Sequence, residues 1–176
     1  MGLAVFISGT GSNFKAIHRA CLSGRLPLPI TLVVSNKADA PGLDYARAEQ
    51  LPVLYYDSDD ALLTACAAHG VTWLILAGYM KRISNAILAA YSNRVVNIHP
   101  SLLPKYKGLN AQQQALDAGD SETGCTVHYA VPEIDSGPII RQARVPIYPA
   151  DTLATLKARL LPVEHETYCQ ALESIL

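Results

Sequence analysis

The sequence predicts an α/β fold in which a mostly parallel central sheet is covered by helices on both faces, and three observations carry that prediction. Short β-branched and apolar runs recur through the first half of the chain, each followed by a Gly-, Ser-, Asn- or Asp-rich loop and then by residues at helical spacing. The runs are apolar throughout rather than alternating, as strands buried on both faces must be. Half of the 176 residues are hydrophobic and 16% are charged, a composition that supports a well-buried core and argues against a disordered chain.

Leu3 to Ile7 reads as the first strand, and "SGTGSN" leads from it into a helix carrying Phe14, Ile17, Ala20 and Cys21. Ile30 to Val34 is a second strand, closed by "SNKADAPG" before a helix from about Leu43 to Gln50. Val53 to Tyr56 is a third strand, Ala61 to His69 a helix ending near Gly70, Trp73 to Ala77 a fourth strand, Ala86 to Tyr91 a short helix and Arg94 to Ile98 a fifth strand. Strands alternating with helices require crossover connections, which make the sheet parallel and Rossmann-like. After a helix near Ala111 to Ala118 the pattern changes. "TGCTVHYAV" and "GPIIRQARVPI" read as two strands joined by "PEIDSG", a link short enough for an antiparallel turn, so the sheet becomes mixed. Asp151 is the expected cap of a last helix bearing Leu153, Leu156, Leu160 and Val163, which Pro162 should kink or divide. The length suits one domain, residues 1–176.

A net charge of −1 provides no broad field for gathering DNA or RNA, so nucleic acid is not expected as a partner. Cys21, Cys66, Cys125 and Cys169 are scattered, with neither C-x-x-C spacing nor ligand-like neighbours, which speaks against zinc and against a disulfide framework. No apolar run reaches the ~20 residues that span a bilayer, and the start lacks the basic segment of a secretory signal. The expected location is the cytoplasm, with no membrane partner.

In a parallel sheet, ligands bind beyond the carboxyl ends of the strands, so "SGTGSN", "AGYMKRIS", "NIHPSLLPKYKG" and "PEIDSG" are expected to converge on one cleft. "GTGSN" puts flexible glycines, a hydroxyl and an amide at a helix start, where N–H groups and the helix dipole favour an anion such as phosphate. It is neither a Walker loop nor a G-x-G-x-x-G fingerprint, and a tight turn with Ser12 or Asn13 as the cap explains it equally well. Asn97 and His99 share one side-chain phase, so both point to one face at the end of a strand, where Pro100 and Pro104 stiffen the next loop. An amide donor, an imidazole and the carboxylate of Asp135 can together bind a developing oxyanion and manage a proton. None is a habitual nucleophile, which favours direct attack by a substrate amine. Taken singly, His99 is as readily a core histidine and Asp135 as readily a turn residue. His128 is read as structural because it sits in mid-strand, and Lys81-Arg82 as either a solvated face or a contact for a polyanionic tail.

Together, "FISGTGSN", "VVSNKADAPGL", "LAGYMKRIS", "NIHPSLLPKYKGLNAQQQAL", "GCTVHYAVPEIDSGPII" and "VEH" resemble the folate-dependent phosphoribosylglycinamide formyltransferase family from about Ala4 to Glu166. The resemblance implies transfer of the formyl group of 10-formyltetrahydrofolate, as co-substrate, to the glycyl amine of glycinamide ribonucleotide in purine biosynthesis, without a metal. It implies that Asn97 and His99 stabilise the tetrahedral oxyanion, that His99 also donates a proton, and that Asp135 sits against the imidazole and favours its charged form. Gly11, Ser12 and Asn13 would receive the substrate's phosphate, and Glu164 its amine. Met80, Lys81, Arg82 and Ile83 would line the pterin pocket with Asn97 and the loop Val131, Pro132, Glu133, Ile134 and Asp135. A monomer or homodimer is expected. The chain departs from the family pattern in a short segment after Tyr56, in Arg82 where an aliphatic residue is commoner, and in Pro162 just before Glu164. The other readings are a different folate-dependent formyltransferase, a formyltetrahydrofolate hydrolase, or a nucleotide- or folate-binding module without turnover.

Overall fold

The computed structural model describes residues 1–176 and arranges them around one seven-stranded sheet. The strands are β1 (Gly2–Ile7), β2 (Ile30–Ser35), β3 (Val53–Tyr55), β4 (Val71–Leu76), β5 (Val95–His99), β6 (Glu122–Tyr129) and β7 (Ile139–Pro146). The helices are α1 (Ser12–Leu22), α2 (Pro41–Ala48), α3 (Asp59–Ala68), α4 (Asn85–Ala90), α5 (Ala111–Asp117) and α6 (Leu153–Ile175). The sheet order is β3-β2-β1-β4-β5-β6-β7. β1 to β5 pair in parallel, while β6 is antiparallel to both β5 and β7, so β6 alone runs against the rest, as the mixed-sheet expectation required.

Because successive strand residues point to opposite faces, β1 serves two cores at once. Leu3, Val5 and Ile7 pack with Phe14 and Ile17 of α1, Leu43 of α2, and Leu160, Tyr168 and Leu172 of α6. Ala4 and Phe6 pack on the other face with Leu62 and Cys66 of α3 and Ile87 of α4. Each fully buried large apolar side chain contributes about 1.5–3 kcal/mol. The chain winds outward from β1 to β3 on one side and then returns to β4 and β5 on the other. The reversal leaves a crevice between the carboxyl ends of β1 and β4, the position where sheets of this kind bind ligands.

Local signals explain most boundaries. Pro41 opens α2 at a position where a missing N–H costs nothing, and Ser58 and Ser84 cap α3 and α4 by accepting from Ala61 and Ile87 N–H. Two expectations need correction at α6. Its cap is Thr152, which forms a reciprocal capping box with Thr155, whereas Asp151 accepts from Arg159 and from Tyr148 N–H. Pro162 does not divide the helix, which runs unbroken for 23 residues. Proline removes one intrahelical hydrogen bond, but Leu160 before it, and Tyr168, Cys169 and Leu172 after it, are buried on one core and hold both halves. Tyr168, wholly buried, places its hydroxyl 3.1 Å from Leu76 O and 3.0 Å from Val96 O and so ties α6 to the ends of β4 and β5. No helix is long and apolar enough to cross a membrane.

Candidate active site

A cleft of about 530 Å³ opens beyond the carboxyl ends of β1, β4 and β5. Its first wall begins at the loop after β1. Gly42 of α2 donates its N–H to Gly9 O at 2.9 Å, and a Cβ on Gly42 would stand 2.6 Å from Ile7 Cδ1 and 3.0 Å from Gly9 O, so this close approach needs glycine. Gly11, in the left-handed region at φ 68°, occupies the cap position of α1 and offers no side chain. Ser12 and Asn13 are therefore the first helical residues and not caps, and no acceptor takes the N–H groups of Ser12, Asn13 or Phe14. The Asn13 side chain turns to α6 instead, with Nδ2 donating to Glu164 Oε2 at 3.3 Å and a buried Oδ1 without a partner. Burial pushes the Glu164 carboxyl above its ordinary range, against the smaller opposing effect of the Asn13 donor.

The second wall is the loop from β4 to α4. Met80 N–H donates to Ser8 Oγ at 2.8 Å and Ser8 Oγ donates to Asn36 Oδ1 at 2.6 Å, which joins the ends of β1, β2 and β4. Lys81 Nζ lies 4.6 Å from the centre of the Tyr56 ring, a cation–π contact. The Arg82 guanidinium reaches across the cleft and donates to the Pro132 carbonyl.

The reacting groups gather where β5 and β6 end. Asp135 sits in the left-handed region at φ 50°, which Asp tolerates better than most residues, and Gly137 follows where a Cβ would meet Tyr129 O at 1.8 Å. The turn aims the Asp135 carboxylate back over the sheet. Its Oδ2 accepts from Gly108 N–H at 2.8 Å and faces His99 Nδ1 at 3.3 Å, and its Oδ1 faces His128 Nε2 at 3.5 Å. Burial pushes this carboxyl up, but the Gly108 N–H and the imidazoles packed against it outweigh burial and hold the group below its usual range. His99 Nε2 lies 2.7 Å from Tyr106 O. Both ring nitrogens of His99 therefore face acceptors, an arrangement that suits the doubly protonated ring. The Tyr106 carbonyl is held in place by its loop. Thr126 Oγ1 donates to Ser101 O at 2.7 Å and accepts from Leu103 N–H at 3.1 Å, and Gln142 donates to Leu103 O at 2.8 Å. Asn97 Nδ2 lies 3.2 Å from His128 Nε2.

The cleft brings together Asn13, Met80, Lys81, Arg82, Ile83, Asn97, His99, Val131, Pro132, Ile134, Asp135 and Glu164 as the sequence led us to expect. Gly11 and Ser12 are not among its lining residues but directly precede Asn13, which is, and Glu133 turns outward, 79% exposed and 3.9 Å from Lys107. The sequence reading missed His128, which lines the cleft directly opposite Asn97 in the antiparallel register. It also missed Lys157 and the stretch Leu109 to Gln113. The period-two phase of "TVHY" marks His128 as facing one way, but only the pairing of β6 with β5 shows which way.

Fold and site define a class: a doubly wound α/β protein with a cleft at the switch point and an amide, a carboxylate and two imidazoles in mutual contact. Neither histidine is hydrogen-bonded to a serine or cysteine. The formyl transferase family matches residues 1–172, and the chain belongs to that family. It is 42% identical to phosphoribosylglycinamide formyltransferase of Haemophilus influenzae over 175 residues, covering 94% of this chain and 82% of that protein. The enzyme of the same name from Escherichia coli is 41% identical over 177 residues, 96% of this chain and 84% of the relative. The crystal structure of glycinamide ribonucleotide transformylase 1 from Symbiobacterium toebii superposes with a TM-score of 0.94 at 42% identity, covering 98% of this chain and 86% of that one.

Proposed function

We propose that this chain, as one domain over residues 1–176, transfers the formyl group of 10-formyltetrahydrofolate to the amine of N1-(5-phosphoribosyl)glycinamide in cytoplasmic purine biosynthesis. The observation that carries the reading is the Asp135 carboxylate held against His99 beside Asn97, in a chain 41% and 42% identical to enzymes of that name. The cleft fits the folate. Met80 and Ile134 line it while 73% and 54% exposed, apolar surfaces open to a flat ring, and Ile83 floors it. The free N–H groups at the start of α1 suit a phosphate. Glu164 and the unpartnered Asn13 Oδ1 offer acceptors to an amine or hydroxyl.

The chemistry is direct attack. The neutral amine bonds to the formyl carbon, the carbonyl pair moves onto oxygen, and collapse breaks the bond from carbon to N10, with one proton leaving the amine and one reaching N10. Asn97 supplies an N–H to the oxyanion and His99 supplies positive charge, an effect whose loss costs about 10²–10³-fold for a single donor. Because the His99 N–H groups point at Tyr106 O and Asp135, proton donation to N10 needs one of them to turn away from its acceptor. Asp135 faces His99 Nδ1 at 3.3 Å, where its negative charge favours positive charge on the ring as the oxyanion forms.

The test is release of tetrahydrofolate, which should require both substrates. Asn13→Ala should raise the KM for the ribonucleotide about three- to tenfold through loss of the side-chain acceptor and of its hold on Glu164, leaving the folate KM within about twofold. An equal rise in both KM values counts against the assignment of the two half-sites.

A further inference from the structure

His128 is 2% exposed and its ring stands between two of the proposed reacting groups. Nδ1 lies 2.9 Å from the Tyr129 carbonyl, which can only accept, so Nδ1 carries a proton. A neutral ring then has a bare Nε2. Two groups approach that atom with opposite demands. Asn97 Nδ2, at 3.2 Å, is a donor and needs the lone pair, whereas Asp135 Oδ1, at 3.5 Å, is an acceptor and needs a proton there. The ring satisfies one at a time. The shorter contact is the one to Asn97, and Asp135 already has the Gly108 N–H at 2.8 Å and His99 at 3.3 Å.

We propose that His128 is a positioning residue for the transfer step: its bare Nε2 takes one N–H of Asn97 and fixes the carboxamide, leaving the second N–H for the formyl oxygen. The inference rests on the formyl-transfer reading above. Protonation of Nε2 sets donor against donor at Asn97 and makes the contact with Asp135 favourable, so the ring changes partner and Asn97 loses its anchor. Asp135 is the one carboxylate within 4.0 Å of the ring, His99 stands on the far side of that carboxylate, and the neighbouring β7 residue is the uncharged Ile139. The pairing with Asn97 comes from the strand register, which places 97 and 128 opposite each other.

Wild-type turnover is measured first, and its absence speaks against formyl transfer itself. In the active protein, ¹⁵N NMR of the His128 ring should show Nδ1 protonated and Nε2 bare above neutral pH; the opposite tautomer overturns the proposal. The pH profile of kcat is then compared for wild type and His128→Gln, whose amide oxygen can accept from Asn97 at every pH. The Gln variant should stay within about threefold of wild type at pH 8 and keep its activity where wild type loses it on the acid side. Identical acid limbs overturn the proposal. His128→Leu, which fills the space without an acceptor, should lose about 10²-fold in kcat with both KM values within about threefold. Unchanged kcat in a folded Leu variant overturns it as well, and if that variant does not fold, the tautomer and the Gln profile decide.

Discussion

Asp135→Asn removes one negative charge while leaving the loop its shape. Asn accepts the left-handed φ of 50° at this position and its Oδ1 can keep the Gly108 N–H. What disappears is the charge facing His99 Nδ1 at 3.3 Å, between side chains only 7% and 8% exposed and therefore little screened. At that distance a unit pair is worth about 5 kcal/mol gross with an effective dielectric of about 20. Desolvation of both ions offsets part of this, and removing one partner of such a pair costs about 3–5 kcal/mol. If about 3–4 kcal/mol of that falls on the transition state, kcat drops roughly 10²–10³-fold. His99→Ala should fall by a similar factor. Because the charge acts through the ring, the double variant should be little worse than the poorer single one. The assay is single-turnover release of tetrahydrofolate with both substrates saturating. Losses that multiply, or an Asp135→Asn enzyme within about threefold of wild type, refute the coupling.

Further outcomes concern stability. The raised Glu164 carboxyl binds its proton more tightly in the folded chain, so its contribution is complete below its ordinary value of 4.5 and is lost as pH rises through the raised one. Glu164→Gln should therefore raise Tm by about 2–4 °C at pH 8, the size of a 1 kcal/mol gain in a chain this long, and leave it unchanged at pH 4. An equal shift at both pH values contradicts the burial argument. The lowered Asp135 carboxyl has the opposite sign: it stabilises above 3.8, and that contribution is lost as pH falls through its folded value, so acid unfolding of Asp135→Asn should converge with wild type there. Tyr168→Phe removes the buried hydroxyl that faces Leu76 O and Val96 O and should cost about 1–3 kcal/mol in urea unfolding.

Much of this fold is local chemistry and was legible as such. The apolar runs, the Gly-rich loop after β1 and the shared phase of Asn97 and His99 depend on neighbours within a few residues. Even Asp135, which as a turn residue explains itself, belongs to the expected group, although its role depends on a carboxylate reaching back across the sheet. The features that stayed hidden depend on distant contacts. His128 becomes a site residue only because β6 pairs with β5 in one register, and a slip of one residue would turn it to the other face. Pro162 argued for a kink or a division, and packing on both sides of it kept the helix undivided despite one missing hydrogen bond. Asp151 and Thr152 are adjacent cap formers, and Arg159 decided between them by claiming the aspartate.

The most direct measurement follows a ¹³C-labelled formyl group from 10-formyltetrahydrofolate in the presence of the protein and phosphoribosylglycinamide. Direct attack guided by Asn97, His99 and Asp135 predicts that all of the released label appears in the N-formyl product, with none on the protein and none lost when the amine acceptor is withheld. Label released as formate without the acceptor, or carried on a side chain of the protein, would contradict it.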